Sequence, residues 1–263
     1  MWPNKFSMPA SILITGATGS IGGALAQWYA APGRTLVLQG RRQGQLEQLA
    51  HTCRQAGAEV HIAVLDVKNC QALQQWARQA MEQHEFDLVV VNAGVNTHVR
   101  GGGQLEPFEQ VSELIDVNLR ASLALVDAIV PFMVSRGRGQ IALLSSLAAY
   151  YGLPLTPAYS ASKAALKAYG EGLRGYLAPH GVGVTVVLPG YVSSPMCHAM
   201  PGPKPFLWAP ERAARCIGRG LRRNPPRISF PFPLNFSCWG LSVLRPTVAQ
   251  WLLQRFGYGK PPA

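Results

Sequence analysis

Short apolar runs alternate along this chain with stretches of helical spacing. Ser11–Thr15, Thr35–Gln39, Glu59–Leu65, Phe86–Val91, Gln140–Leu144 and Gly183–Leu188 read as strands. Most are Val, Leu and Ile with no polar alternation, the pattern of strands covered on both faces, which predicts a parallel sheet between helical layers. Helical spacing marks residues 24–30, 46–56, 71–82, a long segment over 111–134, the run around Tyr159–Lys163, and 209–223. The expected fold is α/β, a three-layer doubly wound parallel sheet forming a single domain over 1–263. After Pro195 the alternation fades. Pro195, Pro201, Pro203 and Pro205 predict a loop or lid, so residues 195–263 read as a substrate lid and a basic, aromatic C-terminal extension of the same domain. No repeat or linker divides the chain.

The first strand runs into Thr15-Gly16-Ala17-Thr18-Gly19-Ser20-Ile21-Gly22 and then a helix. Strand, glycine-rich turn and helix in that order predict a Rossmann-type dinucleotide site. The glycines allow a sharp turn close to a pyrophosphate, and the helix N-terminus offers free N–H groups to its charge. At the end of the second strand, where an acid would bind a free 2′-hydroxyl, stands Gly40 followed by Arg41 and Arg42. Two guanidiniums suit a 2′-phosphate, so NADP(H) is expected ahead of NAD(H). Asp66-Val67 ends the third strand and Asn92-Ala93-Gly94 the fourth. The former suits an adenine amine and the latter close backbone approach to a cofactor, though turn chemistry explains either alone.

Tyr159 and Lys163 are four residues apart in a helix-forming run, which puts phenol and ammonium on one face. A phenol ionises near pH 10, about three units too high for proton exchange at neutrality, and a neighbouring cation offsets part of the ~4 kcal/mol needed. Ser146 closes the fifth strand thirteen residues upstream of Tyr159, so its hydroxyl can converge with the phenol. Asn118, lone in an apolar helix, either faces solvent or joins an internal polar network.

Composition adds compartment and partners. A hydrophobic fraction of 48% against 14% charged residues implies a large core and excludes wholesale disorder. Five scattered cysteines form no C-x-x-C pair and no metal-ligand cluster, so reduced thiols in a cytoplasmic protein, with no metal, are expected. Met1–Ser7 has no apolar h-region. The charge of +11 is unevenly spread. Fourteen Lys/Arg face twelve Asp/Glu up to Met200, whereas ten face only Glu211 afterwards. Residues 228–256 are rich in Phe, Trp and Leu but too often interrupted for the roughly 18 apolar residues of a membrane span. That basic, aromatic quarter suits a pocket wall and subunit interface, or else peripheral contact with a membrane; nucleic acid is not expected, because no binding motif accompanies the charge. Phe206, Trp208, Tyr150, Tyr151 and Leu153 point to an apolar substrate.

Taken in order, Thr15–Gly22, Asp66-Val67, Asn92–Gly94, Asn118, Ser146, Tyr159-x-x-x-Lys163 and Pro189-Gly190 resemble the motifs of the classical short-chain dehydrogenase/reductase family, over about Ser11 to Ser194. Ser20 departs from the pattern by standing where many classical members carry glycine; glycines at 16, 19 and 22 approach the extended subfamily's spacing, but the chain is too short for that group's C-terminal domain. The resemblance implies an NAD(P)-dependent oxidoreductase interconverting a carbonyl and an alcohol. Tyr159 would be the general acid/base, Lys163 would lower its pKa and hold the nicotinamide ribose, Ser146 would polarise the carbonyl, and Asn118 would seat a relay water. Gly16, Thr18, Gly19, Ser20, Ile21, Gly22, Arg41, Arg42, Asp66, Val67, Asn92, Ala93, Gly94, Pro189, Gly190, Val192 and Ser194 would contact the cofactor, Ser194 at the carboxamide where relatives often carry threonine. A homodimer or homotetramer is the family expectation. A cofactor-binding sensor without catalysis is the competing reading, opposed by the intact Ser146, Tyr159 and Lys163.

Overall fold

The computed structural model describes residues 8–100 and 102–258; Met1–Ser7, Gly101 and residues 259–263 lie outside them. Seven parallel strands, β1 (Ser11–Ile14), β2 (Thr35–Gly40), β3 (Glu59–Val64), β4 (Leu88–Val91), β5 (Gly139–Leu144), β6 (Val182–Pro189) and β7 (Arg227–Phe230), form one sheet in the order β3-β2-β1-β4-β5-β6-β7. The order reverses between β1 and β4, opening a crevice at the strands' C-terminal ends.

Strand periodicity sorts the apolar residues between two cores. Ile12, Ile14, Leu36, Leu38, Leu88 and Val90 face α1 (Ser20–Tyr29), α2 (Gln43–Gln55) and, on the same side, Ala213 and Ile217 of a later helix. Their neighbours Leu13, Val37, Val89, Val91, Ile141 and Leu143 face the opposite layer. That layer holds α3 (Cys70–His84), α4 (Phe108–Ile115), α5 (Ala121–Arg136) and α6 (Pro157–Leu177). Both faces are apolar, which is why these strands lack polar alternation.

Three features depart from the sequence expectation. The long helix expected over 111–134 runs from Phe108 to Arg136, and at Asp116–Arg120 it passes through a π-helical turn centred on Asn118. These 29 residues are long and apolar enough to cross a bilayer, but half of the most apolar stretch is buried, with Leu125, Val126 and Ile129 in the core. The expected loop after Pro195 begins as a short helix, α7 (Pro195–Ala199), with Pro195 at its first turn, where a missing N–H costs nothing. Beyond α8 (Pro210–Leu221) the chain adds the unexpected edge strand β7, then α9 (Leu234–Leu241) and α10 (Pro246–Arg255).

Candidate active site

The glycine-rich turn leaves β1 at the switch point and is tied to the end of β4. Thr15 Oγ1 accepts from Asn92 N (3.0 Å) and Ala93 N (3.3 Å), and Asn92 Nδ2 donates to the carbonyls of Thr15 and Gly16 (3.0 Å each). Gly16 has φ +61°, and a Cβ there would lie 2.8 Å from Ala93 Cα. A Cβ on Gly22 would lie 2.5 Å from the Gly16 oxygen. These two glycines therefore let turn, helix and β4 close on one another. Gly19 is the N-cap of α1 and, among the described residues, has no side-chain partner there; with Thr18, Ser20 and Ile21 it borders the main cavity. The first N–H groups of the helix meet that space. Gln39 was not foreseen. Buried at the end of β2, its Oε1 accepts from Gly16 N (3.1 Å) and its Nε2 donates to Leu65 O (2.6 Å). The signal was available: Gln39 is the one polar side chain closing an otherwise Leu-Val-Leu run.

At one end of the crevice Gly40, Arg41, Arg42, Asp66 and Val67 border the cavity together. Arg41 is 3.8 Å from Asp66, and Arg42 Nη2 donates to the Thr18 carbonyl (3.0 Å) and Oγ1 (3.2 Å). Arg42 is thus held beside the turn and Arg41 beside Asp66, both with donors to spare. Asp66 Oδ1 also accepts from Lys68 N at 3.0 Å, so the turn chemistry and the placement beside the cavity coexist.

At the other end Ser146, Tyr159 and Lys163 meet. Ser146 caps a short turn, Leu147–Ala149, by accepting from Ala148 N (3.1 Å), and its hydroxyl is near enough to the Tyr159 phenol to favour its ionised form. Lys163, one helical turn on, is buried; its Nζ lies 5.7 Å from the centre of the Tyr159 ring and donates to Leu144 O (2.8 Å). Asn118 is fully buried and takes the network option. Its Oδ1 accepts from Val95 N (2.8 Å), while Nδ2 donates to Val95 O (3.0 Å) and Ser162 Oγ (3.1 Å). Ser162 Oγ in turn donates to the Tyr159 carbonyl (2.8 Å), and the π turn is what aims Asn118 there. Gly94 lets these groups approach: a Cβ on it would lie 3.2 Å from Asn118 Oδ1 and 3.4 Å from Lys163 Nζ.

One expectation is corrected. Burial holds the Tyr159 pKa above its ordinary value, outweighing the opposing influence of the nearby Ser146 hydroxyl, and the same burial pushes Lys163 down to about 8. Burial in this dry corner shifts each group toward its neutral form, though Lys163 keeps its charge below pH 8, and the cation does not by itself make the phenol acidic.

The crevice is one cavity of about 1860 Å³, wide enough for more than one ligand. Pro189, Gly190, Val192 and Ser194 border it beside Tyr159. Ser194 Oγ accepts from Cys197 N (3.0 Å) as the cap of α7, leaving its hydroxyl proton to donate. Of the five residues expected in the substrate wall, Leu153 and Phe206 border the cavity. Trp208 instead stacks on Phe230 (4.9 Å), Tyr150 lies beside Lys167, and Tyr151 reaches Pro246 O. The chain turns these three onto β7, α6 and α10, which a sequence does not display. Leu241, Leu252 and Leu253 supply the wall in their place.

A crevice of this build, at the switch point of a doubly wound parallel sheet, is that of an α/β oxidoreductase. The chain belongs to the short chain dehydrogenase family, whose profile matches residues 10–202. An oxidoreductase of uncharacterised activity from Myxococcus xanthus (strain DK1622) is 38% identical over 223 residues, covering 84% of this chain and 87% of its own. The 11-beta-hydroxysteroid dehydrogenase-like 2 of Arabidopsis thaliana is 32% identical over 230 residues, covering 84% and 73%. Among solved structures, a short-chain dehydrogenase from Sphingobium yanoikuyae in complex with NADPH superposes with a TM-score of 0.76 at 25% identity, covering 89% of this chain and 96% of its own.

Proposed function

We propose that this oxidoreductase is NADP(H)-dependent and interconverts an apolar carbonyl compound and its secondary alcohol. The observation that carries the reading is the meeting of Ser146, Tyr159 and Lys163 in the same cavity as the glycine-rich turn. The residues fit the cofactor. The turn and the first N–H groups of α1 would hold its pyrophosphate, Arg41 and Arg42 its 2′-phosphate, Asp66 and Val67 its adenine, and Asn92–Gly94, Lys163, Pro189–Val192 and Ser194 its nicotinamide half. Gly40, in place of an acid, leaves room for that phosphate. A related short-chain dehydrogenase was solved with NADPH, which supports the same choice here.

Bound NADP(H) supplies or takes the hydride at the carbonyl carbon. Tyr159 gives its proton to the carbonyl oxygen in reduction and recovers it in oxidation. Ser146 donates to the same oxygen and stabilises the charge that builds there. A phenol kept neutral by burial is in the right form to act as the acid. Lys163 would hold the ribose, and Asn118 fixes the loop at Val95 and the tyrosine helix in register. Replacing Tyr159 by Phe should lower kcat for carbonyl reduction by at least about a thousandfold while NADPH affinity changes less than about threefold. Steady-state kinetics with fluorescence titration of NADPH would check both; a Tyr159→Phe variant that turns over normally would remove the proposal.

A further inference from the structure

The chain after β7 does more than wall the substrate space. α9 reads Leu-Asn-Phe-Ser-Cys-Trp-Gly-Leu and is apolar on nearly every side, a pattern that ordinarily means burial all round. Here only one side is covered. Leu234 and Cys238 pack inward against the cluster of Leu147, Val186 and Leu188, while Phe236 and Trp239 stand exposed with ring centres 5.5 Å apart. α10 repeats the arrangement, with Ala249 and Leu253 buried and Val248 and Trp251 exposed. Phe232, 80% exposed, precedes α9. Val243, Leu244 and Phe256 are also exposed, and these three border the catalytic cavity, so its mouth opens among the outward apolar side chains.

Cations flank them across the sheet edge: α8 packs on the face of β6 that carries Val187, α9 on the opposite face that carries Val186 and Leu188, and the two meet at β7. Arg212, Arg215, Arg219 and Arg223 recur at intervals of three and four along and just past α8, which places them on one stripe. With Arg227 and Ser229 of β7 they line a surface groove. Asn235 joins groove and apolar face, donating to Ser229 O (3.1 Å) immediately before Phe236. From Pro201 onward ten Lys/Arg face Glu211 alone.

We propose that α8–α10 form a docking face for an anionic lipid bilayer, with Phe232, Phe236, Trp239 and Trp251 among the acyl chains and the α8 arginines among the headgroups. On the catalytic reading above, the cavity mouth then takes an apolar carbonyl or alcohol directly from the membrane. Aromatic residues beside a cationic stripe are what an interfacial surface needs. A second copy of this chain fits less well, since a two-fold contact sets the same arginine-bearing surface against itself. Single-stranded nucleic acid would use flat rings for stacking, whereas Val243, Leu244 and Val248 offer none.

The test is co-sedimentation of the full chain with vesicles of phosphatidylcholine alone or mixed with phosphatidylglycerol, at low and high salt. Mixed vesicles should bind at least about tenfold more tightly at low salt. Arg215→Glu/Arg219→Glu/Arg223→Glu should lose about a hundredfold of that affinity, and Phe236→Ser/Trp251→Ser about tenfold at either salt. Both variants should reduce a water-soluble carbonyl at the wild-type rate, which also reports that they fold. Equal affinity for both vesicle types overturns the proposal without any variant. So does an apolar double variant that binds vesicles normally, or wild-type protein that prefers a DNA strand or its own oligomer and leaves the vesicles in solution. Vesicle binding without turnover would leave the docking face standing and refute the catalytic reading alone.

Discussion

Lys163 and Tyr159 share one dry corner, and burial drives each toward its uncharged form. For Lys163 the pKa falls from 10.5 to about 8, a shift that corresponds to about 3 kcal/mol. Below pH 8 both folded and unfolded chains carry the charge, so the folded, cofactor-free protein bears the whole penalty. Between pH 8 and 10.5 the unfolded chain binds the extra proton, and folding stability from this group rises with pH. A Lys163→Met variant lacks that dependence. It should exceed the wild type in stability by its largest margin below pH 8, with the margin shrinking by about 3 kcal/mol as the pH approaches 10.5. Denaturant unfolding of both proteins across that range measures the difference directly; a constant margin would contradict it. The four-residue spacing of Tyr159 and Lys163 was legible in the sequence, but the direction of the tyrosine shift was not. Spacing shows that a cation is near, whereas desolvation depends on what the whole fold packs around it. Asn118 had two open readings for the same reason.

Elements were legible wherever a single pattern dominated. β1, β2 and β4 to β6 announce themselves because both sheet faces are apolar, and their bounds fall within a few residues of those expected. β7 did not, since Arg-Ile-Ser-Phe is short, lies at the sheet edge and alternates with polar residues inside a segment crowded with proline. The π turn at Asp116–Arg120 was equally hidden, because one extra residue in a long helix leaves the local apolar pattern intact. The glycine turn was recognised, yet two of its glycines serve packing between elements. Gly22→Ala gains helix propensity but drives a methyl onto the Gly16 oxygen and, at 2.7 Å, onto Asn92 Nδ2. The variant should be destabilised by about 1–3 kcal/mol, with NADPH affinity reduced alongside. Urea unfolding with a parallel binding titration would show it; a more stable variant would mean that α1 has room to shift.

At the scale of the molecule, charge and chemistry divide along the chain. The catalytic part is nearly balanced, while the last quarter holds most of the excess cations. That asymmetry was visible from residue counts, but the outward turn of Phe236 and Trp251 and the inward turn of Leu253 were not. The crevice joins β1, β2, β4, β5 and β6, so a ligand bound there braces most of the sheet. NADPH at a hundredfold its Kd should stabilise the protein by about 3 kcal/mol, raising Tm by several degrees. NADH at the same concentration should do less, and Arg41→Ala/Arg42→Ala should erase the difference. Thermal scans of the two proteins with each nucleotide test this; an equal response to both nucleotides in the wild type would discard the phosphate role. Finally, the contacts of Thr15, Gln39 and Asn92 already hold the glycine turn in shape. A receptor moulded before its guest arrives gives up little freedom at the encounter, so recognition of the dinucleotide is closer to a key entering a finished lock than to a hand closing.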